Sequence, residues 1–88
     1  MNDCTVLLVD DEIDFVEALG DRLEARGLHV VRTHDGPSAL SAAEEKTFDA
    51  IVLDMAMPGM DGLETLEGLL KINPDLQVIL MTGRATLE

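Results

Sequence analysis

The chain has 88 residues, of which 18 are acidic and six are basic, so its formal net charge is −12. This length suits one small domain with one core, and the negative charge disfavours binding to nucleic acid phosphates or anionic lipid. One cysteine, Cys4, excludes an intramolecular disulfide, and neither a signal peptide nor an apolar run of membrane-spanning length is recognisable, so a cytoplasmic protein is expected.

The first strand and the first helix are predicted from an apolar run followed by a helical pattern. Residues 6–9 predict a strand that is buried on both faces, as parallel strands are. Asp14 and Glu17 form a capping-box pattern, which predicts that the helix begins at Asp14, and Gly27 predicts its end. Apolar residues recur at helical spacing within it, namely Val16, Leu19 and Leu23.

A second strand and a second helix follow. Residues 29–32 predict the strand, and the two histidines that flank it, His29 and His34, are expected to be ordinary surface residues. Asp35-Gly36-Pro37 predicts a helix start with Pro37 at the first helical position. The packing face of that helix is expected to consist of Ala39, Leu40, Ala42 and Ala43.

Two more strands enclose a third helix. Residues 48–53 and 76–81 are apolar and predict the strands, while residues 58–62 have the composition of a turn. Asn73-Pro74 predicts the end of the helix, because the residue before proline avoids helical geometry. The apolar stripe of this helix is expected to be Leu63, Leu66, Leu69 and Leu70. Alternating strands and helices indicate an α/β domain with a parallel sheet.

Acidic residues follow two of the predicted strands directly. Asp10 and Asp11 follow the first strand, and Asp54 follows the third. In a doubly wound sheet the ligand crevice lies at the carboxyl ends of the strands, where the strand order reverses. If the first and third strands are neighbours, the three carboxylates meet there, with Thr82 beside them. Clustered carboxylates repel one another, and Mg²⁺ relieves this because it takes oxygen ligands. The alternative interpretation is that these acids are helix caps.

These acids belong to longer motifs: Val9-Asp10-Asp11-Glu12, the stretch Asp-Met-Ala-Met-Pro-Gly-Met-Asp-Gly at residues 54–62, and Met81-Thr82-Gly83. In this order the motifs resemble the receiver domain of two-component response regulators, with residues 1–88 as one domain. The resemblance implies a flavodoxin-like, doubly wound parallel sheet in the strand order 2-1-3-4. It also implies phosphorylation by a sensor histidine kinase in a phosphorelay that serves transcription regulation.

The same resemblance implies the site residues. They are Asp54 as the phosphoacceptor, Asp10, Asp11, Asp54 and the Ala56 main-chain carbonyl as Mg²⁺ ligands, and Thr82 and Gly83 as the switch residues that contact the phosphoryl group.

The chain departs from the family pattern near Glu88. A complete receiver of this family has five strands and five helices, so the fifth strand, the last helices and the catalytic lysine are not expected within these residues. Neither Lys46 nor Lys71 occupies a matching place. The fourth strand would then form an apolar sheet edge, which predicts a homodimer or a swapped assembly through residues 76–81.

Three functions remain open from the sequence. The first is a signalling module that accepts a phosphoryl group and is not a turnover enzyme. The second is an interaction or dimerisation fragment that is not competent for phosphotransfer. The third is a phosphohydrolase with an aspartyl-phosphate intermediate. It is disfavoured because haloacid-dehalogenase-like enzymes have Asp-x-Asp after the first strand, where this chain has the adjacent Asp10 and Asp11.

Overall fold

Strands and helices alternate along the chain, as predicted. The structure is a computed structural model that describes residues 4–56 and 62–81. Its elements are β1 (Thr5–Val9), α1 (Ile13–Ala25), β2 (His29–Thr33), α2 (Gly36–Glu45), β3 (Ala50–Asp54), α3 (Gly62–Ile72) and β4 (Val78–Met81). The strands form one parallel sheet in the order β2-β1-β3-β4. This confirms the predicted doubly wound α/β fold and its strand order.

The core has two layers because β1 is apolar on both faces. Val6 and Leu8 pack against α1 through Val16. The alternate residues of β1 belong to the second layer, with α2, β3 and α3. The buried members of this second layer are Leu7, Val9, Ala39, Phe48, Ile51, Leu53 and Leu69. The helices therefore cover both faces of β1, with α1 on one side and α2 and α3 on the other.

The predicted start of α1 is wrong. The helix begins at Ile13, its N-cap is Glu12 with no side-chain capping bond, and Asp14 is its second residue. The Val16 N–H already donates to the Glu12 carbonyl, which places the first helical turn two residues earlier than predicted. Asp14 still lies in the first turn, where a carboxylate favours the helix dipole.

The predicted end of α1 is confirmed. Gly27 has a φ of 94°, the left-handed conformation that glycine adopts without steric cost. The N–H groups of Gly27 and Leu28 donate to the carbonyls of Glu24 and Leu23, at 2.9 and 3.2 Å. These bonds satisfy carbonyls that the helix end would otherwise leave without partners.

Arg32 joins β2 to α1 through ion pairs that the sequence pattern does not predict. Its guanidinium lies 3.7 Å from the Glu17 carboxylate, 3.0 Å from Asp21 and 3.2 Å from Glu24. The side chain crosses α1 at Gly20, where any Cβ would overlap the guanidinium. Part of the negative charge of the chain therefore balances a cation on β2.

The start of α2 is close to that predicted. Asp35 is the N-cap, and its Oδ1 accepts a 2.7 Å hydrogen bond from the Ser38 N–H. The helix begins at Gly36, so Pro37 is its second residue. The prediction had placed Pro37 at the first helical position. The hydrogen bond from Ser38 lowers the pKa of Asp35 below its ordinary value of 3.8.

Replacing Asp35 with alanine is expected to lower the free energy of unfolding by about 1 kcal/mol, because the Ser38 N–H loses its acceptor. Urea denaturation at pH 7 measures the change. The lowered pKa means that the benefit of the charged cap is present above pH 3.8 and is lost as the pH falls through the folded-state pKa. Asp35→Ser, which keeps an acceptor, should retain most of the stability at pH 7. Equal losses in both variants would contradict the capping role.

The stripe predicted for α3 is only partly right. The buried residues of this helix are Gly62, Thr65 and Leu69, whereas Leu63 is 54% exposed and Leu70 is 36% exposed. Positions 62, 65 and 69 share one helix face, and the small residues among them give no hydrophobic signal in the sequence. The helix ends at Ile72, immediately before Asn73-Pro74, as predicted.

The third and fourth strands are shorter at their starts than predicted. β3 spans Ala50–Asp54 and β4 spans Val78–Met81, although Phe48 is buried in the core ahead of β3. The predicted turn before Gly62 and the residues Thr82 and Gly83 lie outside the described residues. None of the helices in residues 4–56 and 62–81 has the length and apolar character needed to cross a bilayer.

Candidate metal centre

The reversal of strand order brings three carboxylates together at one edge of the sheet. β1 and β3 are neighbours, with Val9 opposite Leu53, so the chain leaves both strands at the same level. Asp10 and Asp11 follow β1, and Asp54 is the last residue of β3. One oxygen from each of the three side chains lies within 4.8 Å of the others. The expected convergence of these acids is therefore present.

The surroundings of Asp10 disfavour its negative charge. Its side chain is buried, with 6% of the residue exposed, and its Oδ1 accepts a 2.9 Å hydrogen bond from the Glu12 N–H. Burial raises the pKa of Asp10, the hydrogen bond from Glu12 opposes that change, and the charges of Asp54, Asp11 and Glu12 raise it further. A bound cation would relieve both the burial cost and the repulsion.

Asp54 is held by the segment that follows it. It is 1% exposed, and its Oδ1 accepts a 3.0 Å hydrogen bond from the Ala56 N–H. Within the described part of the chain, Asp54 Oδ2 and Asp11 Oδ1 are buried and have no hydrogen-bond partner. Buried acceptors of this kind normally have a partner. Carboxylate oxygens are the ligands that a hard divalent cation takes, so a cation bound at this cluster would give these oxygens a partner.

The end of β2 lies beside this cluster, which corrects the expectation for one histidine. His34 is half-buried, and its ring Nδ1 lies 3.2 Å from the Asp10 carbonyl oxygen. His29, at the other end of β2, is exposed as expected. His34 follows β2 as Asp10 follows β1, so the strand pattern could have placed it at this edge, although it could not reveal the contact.

The other residues predicted for the site have different outcomes. Ala56 is exposed, and its N–H is the group bonded to Asp54, while Thr82 and Gly83 lie outside the described residues. Lys46 follows α2 and Lys71 lies in the last turn of α3. Because these helices run antiparallel to the strands, both lysines belong to the edge of the sheet opposite the carboxylates.

Comparison with known proteins identifies a family and several similar proteins. A family model described as the response regulator receiver domain matches residues 6–88. The probable transcriptional regulatory protein TcrX of Mycobacterium tuberculosis is 39% identical over 84 residues, which are 96% of this chain and 36% of TcrX. A response regulator receiver domain protein (CheY-like) from Methanospirillum hungatei is 29% identical with a TM-score of 0.90, over 98% of this chain and 69% of that one.

Two further solved proteins contain ligands or partners. A Burkholderia pseudomallei response regulator with a phosphorylated aspartic acid, a calcium ion and citrate is 30% identical with a TM-score of 0.87, over 97% of this chain and 50% of that chain. The Thermotoga maritima response regulator TrrA in complex with Mg²⁺-BeF is 32% identical with a TM-score of 0.85, over 93% of this chain and 71% of TrrA. TrrA is also solved in complex with the histidine kinase ThkA. That structure matches at 31% identity and a TM-score of 0.85, over 94% of this chain and 72% of the matched chain.

Proposed function

This chain belongs to the response regulator receiver domain family, and we propose that it accepts a phosphoryl group on Asp54 from a histidine kinase in the cytoplasm. Mg²⁺ would be bound by Asp10, Asp11, Asp54 and the main-chain carbonyl of Ala56. One observation carries the proposal: three carboxylates from separate chain segments lie within 4.8 Å of one another. Two of their oxygens are buried without a partner in the described residues.

The chemistry follows from the position of Asp54. A carboxylate oxygen of Asp54 attacks the phosphorus of the donor, the bond from phosphorus to the donor atom breaks, and an acyl phosphate forms. The hydrogen bond from the Ala56 N–H to Oδ1 orients the carboxylate for this attack. Mg²⁺, when bound, supplies charge neutralisation between the carboxylates and the anionic phosphoryl group. Thr82 and Gly83, which follow β4, are proposed to contact the phosphoryl oxygens.

The partner and the absence of catalytic turnover are part of the same proposal. The kinase partner is supported by the relative TrrA, which is solved with the histidine kinase ThkA. A role in transcription regulation is supported by the relative TcrX, although this chain spans about a third of that protein. The phosphohydrolase alternative is disfavoured because the residue two positions after Asp10 is Glu12 and not the second aspartate of an Asp-x-Asp motif.

Intact-mass spectrometry tests the phosphoacceptor role. The chain is incubated with Mg²⁺ and acetyl phosphate, and a mass increase of one phosphoryl group is expected. Asp54→Asn should abolish the adduct completely, because an amide is not a nucleophile for phosphorus. Asp75→Asn makes the same change of charge at an exposed residue between α3 and β4 and should leave the adduct intact.

The other outcomes separate the alternatives. An adduct that persists in Asp54→Asn would place the phosphoryl group on another residue. No adduct on the wild-type chain, with an intact fold by circular dichroism, would favour the interaction fragment. Continuous release of inorganic phosphate from phosphate esters would favour the phosphohydrolase.

We also propose that the 88-residue chain self-associates through β4. Among the described residues β4 is the last strand of the sheet, and two of its adjacent residues, Ile79 and Leu80, are 56% and 46% exposed. Adjacent strand residues point to opposite faces, so both faces of this strand present apolar surface. An apolar edge of this kind pairs readily with another chain.

Light scattering after size-exclusion chromatography tests this assembly. A dimer is expected for the wild-type chain, and Ile79→Lys should give a monomer, because it places like charges near one another in the paired edge. Ile13→Lys is the matched control, since Ile13 is 59% exposed but lies at the start of α1. A wild-type monomer at high concentration would contradict self-association through β4.

A further inference from the structure

The end of β2 fixes the backbone that carries Asp10. β1 ends at Val9, so Asp10 lies beyond the last residue of the strand. The Asp10 N–H donates to the Thr33 carbonyl at 3.2 Å, and the Asp10 carbonyl lies 3.2 Å from Nδ1 of His34. Two consecutive residues of β2 and the following loop therefore hold both polar groups of the Asp10 main chain.

The contact between His34 and Asp10 has one chemical interpretation. A carbonyl oxygen only accepts hydrogen bonds, so this contact is a hydrogen bond in the tautomer of His34 that carries the proton on Nδ1. The neighbouring Thr33 is buried and donates its Oγ1–H to the Leu8 carbonyl at 2.8 Å, which ties this end of β2 to β1 a second time. The donor on His34 is therefore attached to a segment that is itself held in place.

We propose that His34 is a positioning residue for Mg²⁺ binding: by holding the Asp10 carbonyl, it directs the carboxylates of Asp10 and Asp11 towards Asp54. This inference rests on the metal site proposed above. Mg²⁺ demands nearly ideal octahedral geometry, so its affinity depends on how closely the ligands are held in place. Asp10 and Asp11 lie outside the strand ladder, and the hydrogen bonds to β2 replace that ladder at Asp10.

His34 does not act as a metal ligand itself. Its Nδ1 is occupied by the Asp10 carbonyl, and Mg²⁺ takes oxygen ligands in preference to an imidazole. Its effect on the ion passes through the main chain of Asp10. Partners that orient metal ligands commonly change metal affinity by about 10–100-fold when they are removed.

Calorimetric titration with Mg²⁺ tests the proposal on the full chain. His34→Phe keeps a planar ring but has no donor, and it is expected to weaken Mg²⁺ binding about tenfold. His34→Asn restores an N–H donor through its side-chain amide and should bind Mg²⁺ with an affinity close to that of the wild type. His29→Phe is the matched control, because His29 is exposed at the opposite end of β2 and should not affect the affinity.

Thermal melts without Mg²⁺ separate positioning from a purely structural role. A structural role would lower the melting temperature of His34→Phe and leave the Mg²⁺ affinity of the folded fraction unchanged, and this result would overturn the proposal. Equal affinities for His34→Phe and His34→Asn would overturn it as well. If the wild-type chain does not bind Mg²⁺, the result refutes the proposed metal site and, with it, the positioning role of His34. Binding by the wild type that is insensitive to residue 34 would refute only the present inference.

Discussion

Gly62→Ala is expected to destabilise the chain by about 3 kcal/mol or more, beyond the usual cost of overpacking a core. Gly62 is the buried first residue of α3, and a Cβ there would overlap Met55 Cα and lie 2.9 Å from the Met55 carbonyl carbon. A backbone cannot rotate away as a side chain does, so α3 or the end of β3 would have to move. For a domain of this size, the melting temperature should fall by roughly 12 °C or more.

Gly68→Ala is the matched control on the same helix. Its Cβ would lie 2.8 Å from Leu40 Cδ2, the far end of a side chain that can change rotamer. Alanine also stabilises a helix interior by about 1 kcal/mol relative to glycine, so this variant should have a stability close to that of the wild type. Similar losses in the two variants would show that the close approach of Gly62 to Met55 is unimportant.

The same contact links helix packing to the site. Met55 lies between Asp54, the proposed phosphoacceptor, and Ala56, whose N–H holds the Asp54 carboxylate. Moving Met55 would disturb that hydrogen bond. The folded fraction of the Gly62→Ala variant should therefore be phosphorylated more slowly by acetyl phosphate. The Gly68→Ala variant should react at the rate of the wild type.

The parallel sheet and the place of the acids at its carboxyl end could be predicted from general rules, whereas the strand order was implied by the resemblance to the receiver family. β1 is apolar in consecutive residues, which is typical of a parallel strand that is covered on both faces. If β1 and β3 are neighbours, acids directly after the two strands meet where the strand order reverses. The structure brings Asp10 and Asp54 together at the ends of two neighbouring strands, β1 and β3.

Two features were not predicted from the local sequence patterns. The start of α1 was misplaced because Asp14 and Glu17 match a local capping pattern, while the first hydrogen bond of the helix is accepted by the Glu12 carbonyl. Burial of the small residues Gly62 and Thr65 leaves no hydrophobic trace in the sequence.

The contacts of His34 with Asp10 and of Arg32 with α1 join segments that are distant in the sequence. Only the fold specifies which residues meet in this way. Because one of these contacts lies beside the acid cluster, the sequence identified the carboxylates but not the group that holds their main chain.

Mg²⁺ is expected to stabilise the wild-type chain by about 1.4 kcal/mol when the free ion is at ten times its Kd. This corresponds to a rise in melting temperature of roughly 6–11 °C for a domain of this size. The physical reason is that the carboxylates of Asp10, Asp11 and Asp54 are gathered only in the folded state. Melts in increasing Mg²⁺, followed by circular dichroism, measure the effect.

Asp10→Asn should change this response in two ways. Without Mg²⁺ it should melt at a higher temperature than the wild type, because it removes one of the clustered charges, whose repulsion costs about 1 kcal/mol or more. The asparagine side-chain oxygen can still accept the hydrogen bond from the Glu12 N–H that Asp10 accepts. In Mg²⁺ the variant should lose most of the stabilisation seen in the wild type, because a charged ligand has been removed.

Asp75→Asn changes the net charge equally but lies far from the cluster, so its response to Mg²⁺ should match that of the wild type. A lower melting temperature for Asp10→Asn without Mg²⁺ would mean that replacing the charged acceptor of the Glu12 N–H by a neutral one costs more than the relieved repulsion among the acids gains. A wild-type melt that is indifferent to millimolar Mg²⁺ would mean that the gathered carboxylates do not bind the ion, and phosphorylation of Asp54 would then have to proceed without it.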